Sequence, residues 1–225
     1  MHIEPGVVNG AKIVLSYATA VGAGGYAFRL AADTVRKQGA GSLALRTAAT
    51  TLSVFTFFQM LPHFPVGVSE VHFIFGSTLF LIFGAAPAAL GLALGLLLQG
   101  LFFVPTDLPQ YGMNVTTLLV PLFAIGALAE RIIPRHTAYV DLRYGQALSL
   151  SSAYQAGIIA WVAFWALYGA GLGVENLKSI AAFGASYALV IVIEPLVDLA
   201  VLALAKSLRG IFDGALVTPR LHHAG

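Results

Sequence analysis

The chain has 225 residues, 58% of them hydrophobic and only 10% charged, with a mean hydropathy of +0.85. A soluble domain carries roughly a quarter charged residues, so these charges are too few to coat a water-facing surface, and lipid is the expected solvent. The net charge of +2 comes from short basic clusters between apolar stretches, which argues against nucleic acid, and the absence of cysteine excludes disulfides and thiolate chemistry.

The chain opens Met1-His2-Ile3-Glu4-Pro5-Gly6, without a basic leader region, and the apolar run behind it is long and glycine-rich. No cleavable signal is expected, so these first residues are expected to persist. Seven apolar segments follow, at 7–31, 43–61, 70–84, 86–104, 113–133, 150–170 and 179–207. Each is set against the ~20 residues a helix needs to cross the hydrocarbon. The third is short enough to be half-buried or re-entrant, and only Gly84-Ala85-Ala86-Pro87 divides it from the fourth. The expected fold is all-α: one polytopic membrane domain over 1–225, with an outer N-terminal segment at 1–6 and a cytoplasmic tail at 208–225.

Lys and Arg set the orientation. Alternate connections hold Arg29, Arg36, Lys37 and Arg46, then Arg131, Arg135 and Arg143, then Lys206, Arg209 and Arg220. The other side holds Lys12 and Lys178. Seven spans then put the N-terminus outside and the C-terminus in the cytoplasm. The chain start and the connections at 62–72 and 105–114 emerge together on the outer face.

Several polar residues gather on that face. A free α-amine at Met1, the amide nitrogen of residue 2 and the His2 imidazole can reach one ion through fused chelate rings. Planar nitrogen donors of this kind suit Ni(II) or Cu(II); the bland alternative is a frayed terminus. His63 and His72 lie in or beside the second connection, where Pro62, Pro65 and Gly67 break helix. Irregular backbone at that depth lines a cavity or packs on protein. Either histidine can ligate a metal or be a hydrogen-bonded turn residue, and Glu70 can orient His72. Asn114 is a helix cap or a residue that fixes the N-terminal segment, and Asp107 reads as a surface charge. Glu194 and Asp198 fall inside the last span beside Pro195. Intramembrane acids are functional candidates, although a capping or pairing role on a subunit contact is slightly favoured. His136 lies in the basic connection, where a partner subunit can meet it, and His222-His223 read as a flexible tail.

Met1-His2-Ile3 with a following acid and Gly6, Gln59-Met60-Leu61 followed by His72, and Gly112-Met113-Asn114-Val115 carry a resemblance. Together they resemble the cobalt/nickel substrate-binding components of energy-coupling factor transporters, the CbiM/NikM family. The likeness covers most of the chain to about residue 130, and Met-His at the start is its most specific element. There are departures: Phe64-Pro65-Val66 is displaced by one position, and Gly67-Val68-Ser69-Glu70-Val71 replaces a Gly-Gly-Thr-Ser-Gly run. The resemblance implies ion ligation by the amine of Met1, the amide and imidazole of His2, and a loop histidine, His72, with Asn114 lining the site. His63 competes with His72 or adds a fifth ligand.

The expected function is therefore capture of Ni(II) or Co(II), as transported substrate, for an ATP-driven importer in a bacterial or archaeal cytoplasmic membrane. No Gly-x-x-x-x-Gly-Lys-Ser/Thr loop is present. Energy must come from ATP-binding subunits through a membrane coupling (T) subunit, with a small auxiliary membrane subunit as a possible addition. The rival is an ATP-independent carrier or channel using Glu194 and Asp198. An enzyme or photoreceptor is not expected, because the sequence lacks a protease-like Ser–His pair and a mid-span lysine for a Schiff base.

Overall fold

The computed structural model describes residues 2–208, 214 and 216–223. Among them are seven α-helices: α1 Ile13–Gln38, α2 Ala40–Met60, α3 Gly76–Phe83, α4 Ala85–Phe102, α5 Tyr111–Ile132, α6 Tyr144–Ala170 and α7 Val174–Ser207. Four apolar stretches, Ala85–Phe102, Pro105–Ile132, Tyr144–Ala170 and Val174–Ser207, are long and apolar enough to cross a membrane. The chain order alternates, so the starts of α1, α5 and α7 lie with the ends of α2, α4 and α6 at one end of the bundle, while the short α3 begins partway down it. The described residues of the ten-member basic set lie toward the opposite end; Arg209 falls outside the described residues.

The third predicted span is corrected. Within 70–84 only Gly76–Phe83 is helical, and eight residues rise only ~12 Å, well short of the ~30 Å hydrocarbon core. What precedes it is not helix. Strands β1 Phe64–Val66 and β2 Ser69–Val71 form an antiparallel hairpin, with Phe64 opposite Val71 and Val66 opposite Ser69. The all-α expectation thus misses a small β element. Gly67 turns the hairpin with φ 62, and a Cβ there would lie 2.1 Å from the Ser179 carbonyl oxygen, so only glycine lets the hairpin rest on the start of α7. A strap, residues 72–75, then leads into α3.

Gly84, at φ 90, ends α3 and starts α4, at the expected boundary. Arg46 of α2 is buried there: its Nη1 donates to the Phe83 carbonyl at 2.8 Å, and its Nη2 donates to Gln38 Oε1. Residues 216–223, the described stretch of the tail, are also more structured than expected. The Thr218 amide donates to Ile82 O at 2.7 Å, Arg220 lies over the Tyr139 ring, and Leu221 and His222 are buried. Leu221 supplies the apolar surface that holds the tail against the helices.

Candidate metal centre

The site is built on the hairpin. Ile3 bridges Ser69 as a third, antiparallel edge. The Glu4 amide donates to Val68 O at 3.1 Å, the Glu70 amide to His2 O at 3.0 Å, and Ser69 Oγ to His2 O at 2.8 Å. An open hairpin edge is a template for pairing, and residues 2–4 occupy it. Ile3 and Val8 bury their side chains, which anchors the segment through apolar area. Gly169, at the end of α6, lets Val7 approach so closely that a Cβ would meet its carbonyl oxygen at 1.9 Å. His2 is therefore 4% exposed rather than frayed.

The bundle supplies the other partners. Asn114, near the start of α5, accepts the Ile3 amide on Oδ1 at 2.9 Å, which fixes the N-terminal segment as one sequence expectation had it. His2 Nε2 donates to Gln99 Oε1 of α4 at 2.8 Å. His72 Nε2 donates to Glu70 Oε2 at 2.8 Å. With both Nε2 atoms engaged by acceptors, each ring presents Nδ1 as its free nitrogen. Both Nδ1 atoms are buried without a hydrogen-bond partner.

Asp107 corrects the sequence expectation. It is buried, not a surface charge, and its Oδ2 lies 2.5 Å from His2 Nδ1. No hydrogen bond is assigned to that nitrogen, so the carboxylate is its one close polar neighbour among the described residues. Burial in a bend (Pro105–Gln110) with prolines at 105 and 109 explains the error: the residues around Asp107 look like solvent-exposed loop, but they pack under the N-terminal segment.

One donor atom from each of His2, Glu70 and His72 falls within 4.8 Å of the others. The His2 and His72 ring centroids are 5.6 Å apart, and Phe58 closes one side, 5.3 Å from His72. His63 is exposed and stacks face to face on His72 at 4.9 Å, with its Nδ1 3.2 Å from Leu61 O. It covers His72 and is not among the converging donors. Met1 lies outside the described residues.

Burial and neighbouring charges set the protonation of His72 and Glu70. Burial pushes the His72 imidazole down to about 3, against the opposing hydrogen bond to Glu70. It is therefore neutral at any physiological pH, as a metal ligand must be. Burial acts on Glu70 in the opposite sense, raising it, but the His72 hydrogen bond and positive neighbours bring it down to about 2. Glu4 is raised by burial and by Glu70 and Asp107 nearby.

Glu194 and Asp198 are elsewhere and otherwise occupied. Both are buried within the chain, which corrects the favoured subunit-contact expectation. Glu194 Oε1 accepts the amides of Ile74 at 2.9 Å and Phe75 at 3.1 Å, and its Oε2 accepts from Gln155 Nε2. Asp198 accepts from Ser77 Oγ at 2.7 Å and from Thr78 Oγ1. His136 lies at the basic end near Asp141, whose carboxylate pairs with Lys206 at 2.7 Å.

Gln99 and Asp107 are the site residues sequence reasoning missed. Gln99 offered one signal: a lone amide in the otherwise apolar run Leu96-Leu97-Leu98-Gln99-Gly100-Leu101 is costly unless bonded.

Comparison with known proteins supplies an independent line. A family model described as the cobalt uptake substrate-specific transmembrane region matches residues 2–210. Among curated proteins, none matches. Two solved structures share the fold. The first, a truncated transition metal transporter, is 19% identical with a TM-score of 0.63, over 92% of this chain and 97% of its own. The second, a transition metal transporter, is also 19% identical, with a TM-score of 0.64, over 92% of this chain and 91% of its own.

Proposed function

The chain belongs to the cobalt uptake substrate-specific transmembrane family, a multi-pass membrane protein of a metal-uptake system, and from that premise we propose that it captures Ni(II) or Co(II) for an ATP-driven importer. One observation carries the proposal. Two buried imidazoles lie 5.6 Å apart, each with Nε2 engaged by an acceptor; Nδ1 of His72 has no partner, and Nδ1 of His2 has only the Asp107 carboxylate beside it, 2.5 Å away. Buried polar atoms are nearly always satisfied, so an open imidazole nitrogen beside a second imidazole and two carboxylates is shaped for a cation. The proposed donors are the amine of Met1, the amide nitrogen and Nδ1 of His2, and Nδ1 of His72. Gln99 and Glu70 hold the rings, as outer partners of ligating histidines do, and Asn114 holds the chain between them.

Amine, amide and imidazole of two consecutive residues form a near-planar set, which leans toward nickel. Asp107 and Glu70 leave a negative field that offsets the charge of a divalent ion. The site end faces outward and the basic end the cytoplasm, in a bacterial or archaeal inner membrane. Lacking a phosphate-binding loop, the protein works with a membrane coupling subunit and ATP-binding subunits, which meet its basic end, and with a small auxiliary membrane subunit where one is needed.

Isothermal titration of the purified protein with Ni(II) and Co(II) tests this. Binding is expected in the unmodified protein and lost both in His2→Ala and in a variant with one residue added before Met1. Unchanged affinity in the extended variant would sink the proposed chelate.

A further inference from the structure

The strap between β2 and α3 carries His72, yet nothing in its own sequence holds it still. Residues 73–75 form no helix or strand, and Phe75 has φ 54 and ψ 35, the one non-glycine residue with positive φ among the described residues. An aromatic residue keeps that conformation only where its surroundings impose it. The imposing group is Glu194. A single oxygen, Oε1, accepts the two consecutive amides of Ile74 and Phe75, while Gln155 of α6 anchors the other oxygen. One turn further along α7, Asp198 takes the hydroxyls of Ser77 and Thr78. Tyr187, also on α7, donates to the His72 carbonyl at 3.3 Å. α7 thus supplies side-chain partners to the backbone of His72, Ile74 and Phe75 and to the hydroxyls of Ser77 and Thr78.

We propose that Glu194 is a positioning residue for metal capture: through the backbone of Ile74 and Phe75 it sets where the His72 ring stands. The inference rests on the metal-capture function proposed above. What matters is the reach of an acceptor oxygen, not the negative charge. Glutamine keeps that reach, and Gln155, whose Oε1 is buried and unpartnered, can turn its amide and accept from the new side chain. Aspartate keeps the charge but stops one methylene short of the two amides. A role in an ion pathway makes the opposite demand, tolerating aspartate and failing with glutamine.

The test is Ni(II) titration of the full-length protein, with the absorption spectrum of the adduct recorded for each variant. Glu194→Asp is expected to weaken Ni(II) binding by about 10–100-fold, the usual effect of disturbing a ligand's outer support. Its spectrum should move toward that of His72→Ala. Glu194→Gln should bind close to the unmodified protein. Because Glu194 acts through His72, the double variant Glu194→Asp/His72→Ala should bind no more weakly than His72→Ala alone. Additive losses, or weakening by Gln with Asp silent, overturn the proposal and leave the metal site standing. Binding untouched by His72→Ala overturns the metal site and this inference with it.

Discussion

The polar cluster around His2 and His72 and the cluster around Glu194 and Asp198 are both buried, and only the strap of residues 72–75 separates them. Their hydrogen bonds close differently. All four carboxylate oxygens of Glu194 and Asp198 are taken by donors from α3, its approach and α6. In the upper cluster both Nε2 atoms are taken, His72 Nδ1 is not, and His2 Nδ1 meets only the Asp107 carboxylate. Carboxylates closed off by donors hold structure together, whereas a buried ring nitrogen left open carries a cost that a ligand relieves. Intramembrane acids look the more functional from sequence, but the difference in how their oxygens are satisfied supports the proposal of capture by the histidines and scaffolding by the acids.

Substitutions can break this contrast. The largest effect is expected at His72→Ala, which removes a proposed donor: Ni(II) affinity should fall by more than the 10–100-fold typical of an outer partner, as measured by competition with a chelator of known strength. Gln99→Ala and Glu70→Ala should each fall within that range, since they free a ring without deleting it. If either equals the unmodified protein, the assigned roles of the two Nε2 contacts are wrong. Asp198→Ala should do the reverse. Two buried hydroxyls lose their acceptor, at about 1–3 kcal/mol, and the thermal midpoint in detergent should drop while Ni(II) affinity changes less than in Glu70→Ala. A larger effect on affinity than on stability would move Asp198 into the upper cluster's class.

The last prediction concerns pH and the metal-free protein. His72 titrates near 6.5 when exposed but only at about 3 in the fold, so between those values the unfolded chain binds a proton that the folded chain refuses. Stability of the metal-free protein should therefore decline as pH falls through 6.5 toward 3. Glu70, lowered from 4.5 to about 2, adds a decline in the same direction below 4.5. His72→Ala should remove the upper part of the decline and leave the lower. Labelled-histidine NMR should find His72 neutral, protonated on Nε2, throughout the upper window.

Much of this was legible in the chain. Long apolar runs and the alternation of basic connections sufficed for the helix order, because lipid demands both. His2, His72, Glu70 and Asn114, which the structure brings together, stood out because polar residues are few; Met1 lies outside the described residues. The failures have a common cause. The strap and hairpin at 64–75 are as apolar as a helix, so hydropathy alone merged part of them into a third span. Their course is set by acceptors more than 100 residues away, which no local pattern reveals. Asp107 failed for the same reason, since an acid between prolines is exposed or buried according to what folds over it. The tail beyond residue 208 failed because Leu221 and His222 gain their burial only from the finished bundle.

The edge strand formed by residues 2–4 also has a consequence for the order of assembly. Its partners are Ser69, Gln99 and Asn114, at sequence separations of 67, 97 and 111. Residues 2–4 therefore have nowhere to dock until the hairpin has closed and α5 has begun. Contacts this distant in sequence form late. This segment is thus a latch that engages late, on a chain in which the hairpin, α4 and the start of α5 are already in place. A misassembled protein would lack the juxtaposed imidazoles of His2 and His72, so the proposed capacity to hold an ion would double as a proof of correct folding.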